Sequence, residues 1–115
     1  ILPEMWAGHQ IVFHNPIIFV PRLDENQMRQ VADEIGARLG AQTKGNAVMM
    51  LPLQGTSRYS IKDGPLHNPV GDAAFFEALK KALPSSVEVV EHNLQAEDDA
   101  FVDHCVDRLI AMIES

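Results

Sequence analysis

The segment Pro52-Leu53-Gln54-Gly55-Thr56-Ser57-Arg58 is the sharpest concentration of chemistry in this chain. Gly55 permits close backbone approach, Thr56 and Ser57 offer hydroxyls, and Arg58 adds a charge. With backbone amides as further donors, such a set can hold a phosphate or a carboxylate. The same residues also read as a turn leaving a sheet. Neither G-x-x-x-x-G-K-[ST] nor G-x-G-x-x-G occurs in the chain, so the usual mononucleotide and dinucleotide fingerprints are absent.

A second constellation is His14-Asn15-Pro16, followed by Arg22. A histidine near its reference pKa can act as acid, base or ligand, which makes His14 and Arg22 the catalytic candidates and Asn15 a ligand-binding one. A His and an Asn beside a proline also serve to satisfy freed backbone groups. The five histidines, at 9, 14, 67, 92 and 104, show no H-x-x-x-H spacing, and no C-x-x-C accompanies them, so no metal site is expected. A Ser57, His92 and Asp98 triad can be written down, but no G-x-S-x-G elbow supports it. Glu97-Asp98-Asp99 reads as a cation site or, more simply, as an acidic first helical turn.

The elements that would position these groups follow from periodicity. Gln10 to Phe13 and Ile17 to Val20 are short apolar runs either side of the proline break. The second suits a strand buried on both faces. Asp24 and Gln27 form a capping box ahead of the stripe Met28, Val31, Ala32, Ile35 and Leu39, with Gly40 as a left-handed stop. Ala47 to Leu51 reads as a central parallel strand. The long segment from Leu53 to Gly71 follows, and loops of that length are usually functional. Asp72 is expected to cap a helix burying Phe75, Phe76, Leu79 and Leu83. Lys80 and Lys81 are assigned to its solvated face. Val87 to Val90 is a third strand, and a last helix carries Phe101, Val102, Cys105, Val106, Leu109 and Ile113 on its apolar face.

This order predicts a three-layer Rossmann-like βαβαβα unit with a parallel sheet. Ligands of such sheets bind beyond the carboxyl ends of the strands. Arg22 to Asp24, Pro52 to Gly71 and His92 to Asp98 all lie there.

Composition narrows the classes. The 115 residues carry 9 basic and 16 acidic side chains, a formal net charge of -7. An acidic surface repels phosphate backbones, so no nucleic-acid partner is expected. The single cysteine, Cys105, excludes an internal disulfide, and its apolar neighbours suggest a packed thiol. No run approaches the roughly 20 apolar residues of a membrane span. No signal peptide is visible, and a cytoplasmic location is the expectation. The opening Ile1-Leu2-Pro3 lacks an initiator methionine, which points to a single partial domain, residues 1–115, of a longer chain.

The ordered set His14-Asn15-Pro16, Arg22, Leu51 to Ser57, Asn68-Pro69, Asp72 to Leu79 and Glu97 to Phe101 resembles the tomato mosaic virus resistance protein-like ATP-binding family, an uncharacterised protein family. The resemblance covers nearly the whole chain, near the C-terminal end of that family's second domain. It implies a two-domain protein whose N-terminal portion is the missing partner, ATP as a possible cofactor, and a homodimer. The expected function is a nucleotide- or phosphate-binding module of unassigned reaction. An enzyme acting on a small carboxylate or sugar-derived substrate, or a ligand-free dimerisation scaffold, stands as the alternative.

Overall fold

A computed structural model describes residues 4–13, 19–41 and 46–114. After a 3-10 turn at Glu4–Trp6, two short strands, β1 (Ile11–Phe13) and β2 (Phe19–Pro21), are followed by α1 (Glu25–Gly40). Then come β3 (Val48–Pro52), α2 (Pro69–Ala82), β4 (Glu88–His92) and α3 (Asp99–Glu114). The chain is thus mixed α/β, as its alternating pattern predicts. The parallel sheet is formed by β3 and β4, in the register Val48 opposite Glu88 and Leu51 opposite Glu91.

The first strand departs from the expected layout. β2 pairs with β1 as an antiparallel hairpin, Val12 opposite Val20, in a separate sheet. An apolar run is compatible with either partner, and the nearest strand in sequence wins because closing a short loop costs less entropy. His14, Asn15, Pro16, Ile17 and Ile18 lie outside the described residues.

Alternation along β3 and β4 assigns the two faces of the parallel sheet. Met49, Leu51, Val87 and Val89 join Ala32, Ile35 and Leu39 of α1 and Phe76 and Leu79 of α2 in one core. On the opposite face Arg108 of α3 pairs with Glu88, and Phe101 of α3 meets the His92 ring edge-on. Helices therefore cover both faces. No helix among the described residues is long and apolar enough to cross a membrane.

The capping box of α1 forms as expected, with Asp24 accepting from the Gln27 amide and Gln27 reaching back to the Asp24 amide. Two other terminal assignments are corrected. α1 stops through Ala41 in a right-handed conformation, not through a left-handed Gly40. The cap of α2 is Asn68, whose side chain accepts from the Gly71 amide, with Pro69 opening the helix. Asp72 lies one turn inside, buried, because it is claimed by a cation.

Candidate functional site

Beyond the ends of β3 and β4 the two chains stay joined. The Leu53 amide donates to His92 at 2.9 Å, the Gln54 amide to Leu94 at 3.0 Å, and the Ala96 amide to Gly55 at 2.9 Å. Gly55 forms a parallel bridge with Gln95. Its φ of 144° lies where side chains are strained, and a Cβ there would stand 3.2 Å from the Ser60 carbonyl and the Ile61 amide. Glycine is thus required by the way the chain folds back.

The hydroxyls turn inward. Ser60, 2% exposed, accepts from the Ser57 amide at 3.0 Å and lies 3.2 Å from the Ser57 hydroxyl and 3.4 Å from that of Thr56. Thr56 and Ser57 close the turn around Ser60. Arg58 faces the opposite loop, where its amide donates to Glu97 Oε2 at 2.5 Å and its Nε to Glu97 Oε1 at 3.2 Å. The loop therefore grips a carboxylate with one amide and one guanidinium group. Both side chains are substantially exposed, 72% for Arg58 and 42% for Glu97. An ion pair of that kind is worth only about 0–1 kcal/mol.

Arg22 does different work. Its side chain is 7% exposed and pairs with Asp72, itself 8% exposed. Its Nη1 donates to the Leu66 carbonyl at 2.8 Å, and the Leu66 amide donates to Tyr59 at 2.8 Å. This cation braces β2, the long loop and the start of α2 together. The long segment is accordingly a set of tied turns, not a floppy connection. His14 and Asn15 are outside the described residues. Gly55, Thr56, Ser57 and Arg58 share one turn, and Arg22 is tied to the loop that follows this turn through Leu66, whose amide bonds the Tyr59 carbonyl.

A cleft of about 380 Å³ opens between Leu53 and Gln54 and the flank of α2. Lys62, His67, Asp72, Phe76, Lys80 and Glu91 are among its walls. His67 Nδ1 lies 3.2 Å from the Ser60 carbonyl. Nδ1 is the donor in that contact, since the carbonyl oxygen can only accept. Sequence reasoning missed this cleft because its walls are far apart in the chain. Lys80 is the clearest instance. It lies on the solvated face, as its neighbours indicate, and from there it reaches Glu91 of β4 as well as Glu77.

Its hydrogen bond to Glu91 raises the Lys80 pKa above the ordinary value of 10.5, with Glu77 adding to the effect. A raised folded-state pKa gives stability that is complete below the unfolded pKa and is lost as pH climbs through the folded one. Lys80 is 37% exposed, so solvent screens the effect and keeps it modest. Thermal melts through the alkaline range should show stability declining above pH 10.5. The Lys80→Met variant should show a shallower decline, and an unchanged slope would contradict this assignment.

The Ser57, His92 and Asp98 trio does not assemble. Ser57 is turned to Ser60, Asp98 accepts from the amide and side chain of Gln95, and His92 stacks on His104 at 4.7 Å between ring centres. Of the acidic run, Glu97 faces Arg58 and Asp98 faces Gln95. Among the described residues no group of three His, Cys, Asp or Glu is placed to hold a metal ion.

Comparison with known proteins corrects the expected resemblance. Residues 1–113 match a family model described as the C-terminal domain of an uncharacterised protein family, UPF0261. Over 85 residues the chain is 31% identical to a UPF0261 protein of Rhizobium meliloti (strain 1021), covering 74% of this chain and 21% of that protein. Over 82 residues it is 29% identical to a UPF0261 protein of Mesorhizobium japonicum, covering 71% and 20%. None of these descriptions names tomato mosaic virus resistance or ATP. The expectation of an uncharacterised family stands, and the virus-resistance, ATP-binding assignment is overturned. The chain spans about one fifth of the length of these curated relatives.

Proposed function

This chain belongs to the uncharacterised protein family UPF0261, as its C-terminal domain, and we propose that it gives a longer protein one edge of a small-molecule site for a phosphate or carboxylate group. The site is the turn Gly55 to Arg58. The grip of Arg58 on the Glu97 carboxylate carries this reading. That carboxylate stands in for a ligand anion, held by an amide and a guanidinium as an anion-binding loop would hold one. Thr56 and Ser57 fix the shape of the turn, and Arg22 braces the later part of the same loop through the Leu66 carbonyl. ATP has lost the resemblance that suggested it, and nucleotides remain one class of probe among phosphate-bearing ligands.

The test is isothermal titration of the complete protein with inorganic phosphate, a nucleoside triphosphate and a dicarboxylate. Arg58→Ala should weaken binding of the productive probe about fivefold, since an exposed guanidinium contributes about 1 kcal/mol and the Arg58 amide donor remains. Glu97→Gln should strengthen it several-fold by removing the internal competitor. Equal affinity in both variants, or no binding of any probe to either variant or the wild type, would sink the reading.

A further inference from the structure

The last helix carries two apolar series one residue apart. Phe101, Cys105 and Met112 belong to the first, with Arg108 between them. Phe101 is buried and Cys105, Arg108 and Met112 are half-buried. Val102, Val106, Leu109 and Ile113 form the second at i, i+4, i+7 and i+11, and all four are exposed, from 46% at Val102 to 73% at Ile113. This corrects the single buried face expected from the sequence. Such a stripe on a helix is the pattern of a packed seam. A groove of about 330 Å³ runs beside it, where Val48 and Met50 of β3 face Cys105, Leu109 and Met112 of α3. Among the described residues the parallel sheet has only two strands, whereas parallel sheets are ordinarily buried within larger α/β layers.

We infer that this surface, the outer stripe of α3 and the adjoining groove over β3, is where the rest of the same polypeptide packs. Two observations and one symmetry argument select that occupant. The chain spans 21% and 20% of its relatives' lengths, so a UPF0261 protein has ample further chain to contribute. Among the described residues β3 is paired on one edge only, by β4, and a further parallel strand on its other edge would come through a crossover helix that packs on a sheet face, where the groove lies. A two-fold copy meeting at the β3 edge would instead set β3 antiparallel to itself. The occupant is therefore an apolar helix of a further strand–helix unit.

The test uses the complete protein with Leu109→Cys and, separately, Val70→Cys, a residue 68% exposed on α2. Labelling by a maleimide is located by peptide mass spectrometry, with light scattering to give the mass. The inference expects slow labelling at position 109, rapid labelling at 70, and protection at 109 that persists when the protein is monomeric. Labelling at 109 as fast as at 70 overturns it. Protection that disappears as a dimer dissociates also overturns it and assigns the surface to a second copy.

Discussion

Asp72→Asn should lower the stability of this domain by about 3–5 kcal/mol, the usual cost of removing one partner from a buried ion pair. The substitution keeps the shape of the side chain and removes its charge. Arg22, 92% buried by area since it is 8% exposed, would then hold a cation in the interior with no anion beside it. Its Nε already has no hydrogen-bond partner among the described atoms, so little remains to compensate. The loss would reach the candidate site, because Arg22 also holds Leu66 and hence the long loop. Replacing both partners with apolar residues, Arg22→Met with Asp72→Leu, should restore most of the stability, as such exchanges often do. Denaturant unfolding checks both statements. A midpoint for Asp72→Asn within error of wild type would show that the brace contributes nothing.

Gly36→Ala should destabilise as well, although helix propensity alone favours alanine by about 1 kcal/mol. A Cβ at Gly36 would stand 2.5 Å from both Cβ and the carbonyl oxygen of Ala82. The obstacle includes backbone, so rotation of a side chain cannot relieve it. α1 and α2 would have to separate, opening the core between Ala32 and Leu79 that they share. Overpacking of this kind costs roughly 1–3 kcal/mol, and it outweighs the propensity term. Ala82→Gly should rescue only part of the loss, because the carbonyl remains. A more stable Gly36→Ala variant would mean that the helices do not approach this closely.

These two residues show where the sequence was legible and where it was not. The capping box at Asp24 and Gln27 is local chemistry, complete within four residues, and could be read directly. So could the alternation that places Leu51 in a buried strand and Phe76 on a buried helix face. Asp72 looked like a cap because it precedes an apolar stripe. Its true role depends on Arg22, fifty positions away, and no local pattern reports such a pair. Gly36 gave no signal at all, because a glycine inside a helix reveals its purpose only when a second helix arrives. The outer stripe of α3 looked like core for the same reason in reverse: periodicity finds an apolar face but not whether this segment covers it.

The candidate site divides the same way. Gly55 to Arg58 was visible because its residue types are unusual together. Glu97 reads from the sequence only as part of an acidic run, a cation site or an acidic first helical turn, and its pairing with Arg58, 39 positions away, leaves no local signal. The cleft walled by His67, Lys80 and Glu91 was likewise hidden by distance along the chain.

The central claim is that Arg58 holds an anion whose place Glu97 takes in its absence. A crystal structure of the complete protein soaked with inorganic phosphate tests it most directly. Phosphate is expected on the Arg58 amide and guanidinium, beside Gly55, with the Glu97 carboxylate turned away. Glu97 still bonded to Arg58, with phosphate absent or bound elsewhere, would contradict it.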